Sequence, residues 1–277
     1  MKKNDLAGIG KLSRRRLSEV LRKVKGGSIN SKNVAKSLDV STKQARRFLA
    51  SWAANGWLCR LRQGVYVSVE IAASSADQSL IDPWIVANDL FAPCYIGGWS
   101  AAQHWGFTEQ IFESTLVMTS RHINGKNQTA GALTFFLKKL KAEKMFGLKS
   151  AWKEQQKVQV SDPHKTIIDM FDDPSLGGGM RSLIDFFQQY LASSHFNANI
   201  LFEYAAKMNN KSIFKRLGFV LSKISPNATA LIEHCRKNIS QGNSQLDPHL
   251  RGNRLVKKWG LWIPENFEKQ MNWIGHD

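Results

Sequence analysis

The spacing of apolar residues in the first quarter of the chain constrains its fold most. Three successive stretches carry apolar residues at helical spacing: Leu17, Val20, Leu21 and Val24; then Val34, Ala35 and Leu38; then Ala45, Phe48, Leu49 and Trp52. Repeats at i, i+3, i+4 and i+7 predict three helices, each with one buried face. We expect Ser31 to cap the second helix and Ser41 or Thr42 to cap the third, with Asp39 in the turn between them.

Residues 57–69 follow a different period. Apolar and polar residues alternate there on both sides of Gln63-Gly64, which predicts a β-hairpin with Arg60 and Arg62 on one face. Three helices followed by a basic hairpin is the element order of a winged helix-turn-helix. The sequence therefore predicts a winged helix-turn-helix DNA-binding domain over residues 1–70.

The positive charge of the chain is concentrated in the same segment. Residues 1–69 hold 16 Lys or Arg and three Asp or Glu, a net charge of +13, whereas the whole chain has a net charge of +17. A cationic surface confined to one domain favours nucleic acid as its partner, because each neutralised phosphate releases condensed counterions. We therefore expect this domain to bind double-stranded DNA.

The predicted fold assigns roles to the basic side chains. A third helix lying in the major groove presents the residues of its N-terminal half to base edges, and the hairpin and first helix hold phosphates. The expected base-edge residues are Lys43, Gln44 and Arg47. The expected backbone contacts are Arg46, Arg60, Arg62, Arg14, Arg15 and Arg16. The competing interpretation is that these are simply solvated faces, as charge runs usually are.

The rest of the chain predicts a second, larger domain. Residues 71–79 are small and polar and indicate a linker, and residues 80–277 alternate predicted strands and helices before turning helical from Ser182. With 43% hydrophobic residues the chain can form two cores. We expect an α+β fold: an N-terminal winged helix-turn-helix and a mixed α/β C-terminal domain that ends in helices.

Compartment and redox state follow from what the sequence lacks. The three cysteines form no CxxC pair, so neither a disulfide framework nor a zinc site is expected. No apolar run approaches 18 residues, and no signal-peptide pattern follows Met1. We expect a cytoplasmic protein with no membrane partner.

Three motifs could carry catalysis, and each has a simpler explanation. Gly177-Gly178-Gly179 precedes a helix but lacks the spacing and the Lys of a phosphate-binding loop. Asp169, Asp172 and Asp173 with His164 could form a metal cluster, although Asp173 precedes a proline and fits a turn. His104 has no nucleophile tied to it by any motif, and Trp84, Trp99 and Trp105 are expected in the core. We predict no catalytic residue, no cofactor and no metal.

Two blocks of the second domain contain long, distinctive motifs. The first block runs from Ile81 to Arg121 and contains D-P-W, W-S-A and H-W-G-x-T-E-Q. The second runs from Asp162 to Met180 and contains D-P-H-K-T-I-I-D and D-P-S-L-G-G-G-M. Both blocks resemble the AbiEi antitoxin family of abortive-infection systems. The N-terminal winged helix ending in Gly64-Val65-Tyr66 matches the family in order and position, and the resemblance weakens after about Lys223.

The resemblance implies a bacterial toxin–antitoxin pair that acts in phage defence. It implies an autorepressor that binds inverted repeats of operator DNA. Because a single winged helix covers one half-site, we expect two copies of the chain on each repeat. It also implies that the C-terminal domain neutralises a nucleotidyltransferase-like toxin without forming a stable complex. Two alternatives remain open: a ligand-sensing winged-helix regulator, and a metal-dependent DNA-targeting nuclease.

Overall fold

The computed structural model describes residues 10–24, 27–69 and 82–270 of the chain. Within those residues the fold is mixed α+β, with eleven α-helices and three sheets, which confirms the predicted fold class. The chain divides into two compact units. Unit 1 comprises residues 1–95, 113–139 and 150–159, and unit 2 comprises residues 96–112, 140–149 and 160–277. The predicted linker, residues 71–79, lies outside the described residues, and the predicted domain bounds stay predictions.

The N-terminal module, residues 11–68 of unit 1, has three helices and a three-stranded sheet. In chain order its elements are α1 Lys11–Val24, β1 Ile29–Asn30, α2 Ser31–Leu38, α3 Thr42–Ala54, β2 Leu58–Arg62 and β3 Val65–Ser68. The sheet order is β1-β3-β2, and both pairings are antiparallel. The three helices and the hairpin lie where the apolar spacing predicts them.

One cap differs from the prediction. Asn30, and not Ser31, is the N-cap of α2, because Asn30 has an extended backbone and its side-chain oxygen accepts hydrogen bonds from the N–H groups of Lys32 and Asn33. Ser31 is already the first residue of the helix. The pattern at this position offers two polar residues in succession, and the chain uses the first.

The apolar faces of the module meet in one core. Its buried members are Leu17, Val20, Ile29, Val34, Ala45, Leu49, Trp52, Leu58 and Tyr66. These residues come from α1, β1, α2, α3 and both hairpin strands, so every element of the module contributes at least one of them. Packing of these faces, more than helix propensity, holds such short helices together.

Most of unit 1 outside the module belongs to a six-stranded mixed sheet and one helix. The elements are α4 Pro83–Phe91, β4 Cys94–Ile96, β5 Ser114–Thr119, β6 Asn127–Ala130, β7 Leu133–Lys139, β8 Leu148–Lys153 and β9 Gln156–Ser161. The strand order is β6-β7-β5-β4-β9-β8. Strands β5 and β7 are parallel over six residue pairs, and β6 returns antiparallel on β7. The division between the two units runs through β4, β8 and β9.

Within unit 1, the N-terminal module contacts helix α4 and the turn between strands β6 and β7. The backbone N–H of Ser28 donates to the Asp89 carboxylate of α4 at 2.7 Å. A side chain at Gly131, in the β6–β7 turn, would meet Leu61 of the module at 3.2 Å. The module is therefore packed against α4 and the β6–β7 turn within unit 1.

Unit 2 is mainly helical. Its elements are α5 Gly98–His104, α6 Pro163–Asp172, α7 Met180–Ala192, α8 Ala198–Lys207, α9 Ser212–Ile224, α10 Thr229–Lys237, β10 Ser244–Gln245, β11 Arg254–Val256, β12 Leu261–Ile263 and α11 Phe267–Gln270. The helical region predicted from Ser182 onward is present as α7 to α10. The small sheet β10-β12-β11 that follows it was not expected from the sequence.

Helix α6 is the centre of unit 2. Asp162 caps it, Pro163 occupies its first turn, and every residue from Pro163 to Phe171 is buried. Helices α5, α7, α8 and α9 all pack against it. Because α6 is covered on all sides, its polar side chains must find partners inside the protein.

Candidate nucleic-acid interface

The start of α3 is fixed by two local devices. Asp39 takes the left-handed conformation (φ 51°, ψ 53°) that ends α2, as the sequence predicted for this turn. Ser41 then caps α3: its hydroxyl oxygen accepts from the Gln44 N–H at 3.2 Å, and the Gln44 side-chain oxygen accepts from the Ser41 N–H at 3.2 Å. This capping box fixes the first turn of α3.

Helix α3 has one buried and one exposed face. Ala45, Leu49 and Trp52 are buried against the module core. The four predicted contact residues of this helix are all exposed: Lys43, Gln44, Arg46 and Arg47. The exposed face therefore carries three cations and one amide within two turns, which is the chemistry that base edges and phosphates bind.

Gln44 is restricted by its place in the capping box. Its side-chain oxygen already accepts the Ser41 N–H and lies 3.3 Å from the Ser41 hydroxyl. A bidentate contact to adenine uses both the oxygen and the nitrogen of the amide. While the capping box holds, Gln44 can only donate from its NH₂ group.

The hairpin presents its two arginines on either side of a bulge. The register of β2 shifts between Arg60, which is opposite Tyr66, and Arg62, which is opposite Val65. Leu61 between them is buried and the two arginines are exposed. Arg62 also donates to the carbonyl of Leu90 in α4 at 3.4 Å.

The three consecutive arginines of α1 are not equivalent. Arg14 and Arg15 are exposed, whereas Arg16 is half-buried with its guanidinium 4.9 Å from the ring centroid of Phe48 in α3. This cation–π contact ties α1 to the third helix. Arg16 therefore has a structural contact that the other two lack.

The charges of this surface are not compensated within the part of the chain that the structure describes. No described carboxylate lies within 4.0 Å of Lys43, Arg46, Arg47 or Arg60. The module's described ion pair joins Lys23 to Glu19 on α1 at 3.1 Å. Uncompensated, exposed cations on a rigid helix produce the positive field that attracts polyanions.

The carboxylates considered as metal ligands are engaged separately. Asp169 pairs with Lys165 inside unit 2, and Asp172 accepts from Asn210 at 2.6 Å and from Lys144 at 3.3 Å. Asp173 caps the turn at Ser175, as expected from its proline. Among residues 10–24, 27–69 and 82–270, no three His, Cys, Asp or Glu residues are grouped so as to hold a metal ion.

The glycine-rich turn before α7 is occupied by a carboxylate. Gly178 and Gly179 have positive φ, and the Met180 N–H at the start of α7 donates to the Asp247 side chain at 3.0 Å. A phosphate at this position would meet that negative charge. The turn is therefore held by Asp247 at the start of α7.

The tryptophans and His104 make packing contacts. Trp84 and Trp99 are buried, as predicted, and Trp105 is half-buried with its indole N–H donating to the Ser161 carbonyl at 2.8 Å. His104 is exposed and its ring stands edge-on to that of Trp105, with centroids 4.7 Å apart. In the same unit Ile111 is 85% exposed.

Two features of unit 2 lie outside what the spacing of residues could predict. The Lys165–Asp169 pair is almost fully buried, and Lys165 also contacts Met208 and the ring of Phe146. Asp162 accepts from the Tyr204 hydroxyl at 2.9 Å. Burial tends to raise the pKa of Asp162, but hydrogen bonds from His164, the Lys165 N–H and Tyr204 outweigh it and hold that pKa below its usual value.

The basic residues near the C-terminus of the described chain are partly neutralised. Glu268 pairs with Arg254 and with Lys223, which lowers the Glu268 pKa despite the opposing effect of burial. Arg251, Lys257 and Lys258 of the same cluster are exposed. Glu268 therefore neutralises part of the positive charge of these residues.

The fold of this chain is similar to that of a solved protein structure. The crystal structure of the Rv2827c protein from Mycobacterium tuberculosis superposes with a TM-score of 0.65 at 14% sequence identity, over 94% of this chain and 93% of that chain. No protein-family model and no curated protein sequence matches the chain. None of the helices in the described ranges is long and apolar enough to cross a membrane.

Proposed function

We propose that this protein is a non-enzymatic, DNA-binding autorepressor and the antitoxin of a bacterial toxin–antitoxin pair. The observation that carries the DNA-binding half is the exposed face of α3. It presents Lys43, Arg46 and Arg47 without a described carboxylate within ion-pair distance, on a helix whose start is fixed by the Ser41 capping box. The element order of the module is that of a winged helix.

In this proposal α3 enters the major groove of operator DNA. Lys43 and Arg47 donate to base edges, and Gln44 donates from its NH₂ group. Arg46, Arg60, Arg14 and Arg15 hold phosphates and set the register. Two copies of the chain bind the two halves of an inverted repeat.

The antitoxin half rests on the sequence blocks that resemble AbiEi antitoxins. The partner it implies is a nucleotidyltransferase-like toxin, which the second domain neutralises in the cytoplasm without forming a stable complex. The two blocks lie in residues 81–121 and 162–180, and the second includes the whole of α6. We therefore assign neutralisation to residues 80–277 and repression to the N-terminal module.

An in-cell experiment separates the two activities. A reporter is placed behind the DNA upstream of the gene, and the neighbouring gene is induced as the candidate toxin. The full chain should repress the reporter and restore growth, and Lys43→Ala/Arg47→Ala should lose repression while still restoring growth. Failure of the full chain to repress contradicts the first half, and failure to restore growth contradicts the second.

A further inference from the structure

A cationic cavity lies where the hairpin β2–β3 meets helix α4 and the end of strand β5. Its volume is about 320 Å³, and the polar residues that line it include Arg62, Arg121, His122, Asn124 and Gln128. None of the described residues that line it is acidic. All of them belong to unit 1.

Two arginines converge on one backbone oxygen in this cavity. Arg62 donates to the Leu90 carbonyl at 3.4 Å, and Arg121 donates to the same carbonyl at 3.3 Å and to the Ala92 carbonyl at 3.4 Å. These carbonyls form the C-terminal end of α4, where the helix dipole attracts cations. Arg121 alone can donate to both carbonyls at this helix end. Arg62 therefore adds a second positive charge to the cavity.

The remaining donors fit a phosphate group. Each guanidinium has five N–H donors, and the hydrogen bonds to these carbonyls use Nη2 of Arg62 and Nη1 of Arg121. The other nitrogens of both groups are available for an anion, and both side chains are exposed. Two forks facing one tetrahedral oxyanion is the geometry in which arginine binds phosphate best.

We propose that this cavity holds a phosphate of the DNA backbone, and that Arg121 is a DNA contact outside the N-terminal module. The choice of DNA as the source of the phosphate rests on the proposed function, since Arg62 lies on the hairpin that the proposal places against the backbone. The footprint on DNA then extends past the hairpin to the end of strand β5.

The test is a titration of the full chain on its upstream DNA and on a scrambled duplex, across a salt series. Arg121→Gln should weaken binding to both duplexes by the same factor, about tenfold, because a charged hydrogen bond to phosphate carries no sequence information. Lys157→Gln, which removes an equally exposed charge from β9 outside the cavity, should bind like the wild type.

A double variant tests whether both arginines hold one phosphate. Arg62→Gln/Arg121→Gln should flatten the slope of log affinity against log salt by about 0.9, the value for one phosphate and not for two. The fold-loss of affinity in the double variant should be smaller than the product of the two single fold-losses. A fold-loss equal to that product contradicts a shared phosphate.

The outcomes separate this inference from the proposed function. A wild type that binds neither duplex contradicts the proposed function. A wild type that binds, with Arg121→Gln indistinguishable from Lys157→Gln, overturns this inference alone. If inorganic phosphate at constant ionic strength raises the unfolding temperature of the wild type but not of Arg121→Gln, while both bind DNA equally, the cavity takes a free anion and the assignment to DNA is wrong.

Arg121 also holds the end of α4, so folding needs its own control. Arg121→Lys keeps the charge and places three N–H donors on a single nitrogen, but it loses the planar fork. It should retain the salt slope and lose affinity several-fold on both duplexes. Full wild-type affinity in Arg121→Lys contradicts the role of the fork.

Discussion

The cations of helix α3 and those of helices α6 and α9 are used in opposite ways. On α3, Lys43, Arg46 and Arg47 are exposed and no described carboxylate pairs with them. In unit 2, Lys165 pairs with Asp169 and is fully buried, and Arg216 donates to three backbone carbonyls of its own unit. In the function we propose, the same residue types bind an external partner in one region and stabilise the fold in the other.

The groups that surround a charged side chain, and not its residue type, decide its role. A buried cation costs several kcal/mol of desolvation unless carboxylates or carbonyls surround it. An exposed cation costs little to leave unpaired, and a polyanion can then neutralise it. The net charge of a region therefore predicts a binding surface only where the cations are exposed and the acids are elsewhere.

The largest expected effect comes from breaking the buried Lys165–Asp169 ion pair. Asp169→Asn leaves the Lys165 ammonium inside unit 2 without its carboxylate. We expect a loss of about 3–5 kcal/mol in the free energy of unfolding. Urea denaturation measures it. Lys165→Met/Asp169→Leu is the control and should recover most of that loss, and a loss below about 1 kcal/mol in Asp169→Asn would show that the pair is not structural.

The matching change on α3 should affect binding and leave folding intact. Lys43→Ala or Arg47→Ala should reduce the preference for operator over random DNA by about 1–3 kcal/mol per contact. The free energy of unfolding should stay within about 0.5 kcal/mol of wild type, because the side chains are exposed. Competition titrations on the two duplexes measure the preference.

Arg46→Ala is the matched control for that experiment. It removes an equally exposed charge from the same helix but is assigned to the backbone, so it should weaken both duplexes equally. Equal losses on both duplexes from Lys43→Ala and Arg47→Ala contradict their assignment to base edges.

A smaller effect is expected from the cap that positions α3. Ser41→Ala removes the acceptor for the Gln44 N–H and should cost about 1 kcal/mol of stability. Ser41→Asp keeps an acceptor and should stay close to wild type. Thermal unfolding compares the two, and equal stability of Ser41→Ala and wild type contradicts the capping contribution.

The smallest expected effect is on the pH dependence of stability. The folded-state pKa of Asp162 lies below its unfolded value of 3.8, so its contribution is present above that value and is lost as the pH falls through the folded pKa. Asp162→Asn should therefore flatten the acid limb of the stability curve. Urea midpoints measured between pH 2 and 6 test it, and an unchanged acid limb contradicts the role of Asp162.

Asp185 provides a control of opposite sign for that experiment. Partial desolvation raises its pKa, so ionisation of Asp185 is disfavoured in the folded state. Asp185→Asn should leave the acid limb at least as steep as in the wild type, because it removes a group whose stability contribution falls as the pH rises.

The sequence predicts best where one face of an element is buried. The helices α1 and α3 and the hairpin follow their apolar period, and Asp82 and Asp162 before prolines predict the starts of α4 and α6. The sequence gives no strand pattern for β8, because both its faces are largely exposed and its apolar residues do not alternate. The same reason applies to β6.

The candidate site is only partly encoded in local patterns. The exposure of Lys43, Arg46 and Arg47 follows from the helical period, so spacing alone predicts it. The cavity at Arg121 depends on a hairpin, a helix end and a strand end that are distant in sequence, and no local pattern brings them together. The burial of Lys165 likewise follows from helices that cover both sides of α6.

DNA binding by the N-terminal module is best tested by a salt-series titration of the full chain on its own upstream DNA. Two variants are compared with the wild type: Lys43→Ala/Arg47→Ala/Arg60→Ala in the module, and Lys211→Ala/Arg236→Ala/Lys237→Ala as a control with the same charge change in unit 2. We expect binding by the wild type and the control to be specific and to fall steeply with salt. The module variant should bind the upstream DNA no better than random DNA. Equal binding by both variants, or no binding by the wild type, would show that the module is not the DNA-binding surface.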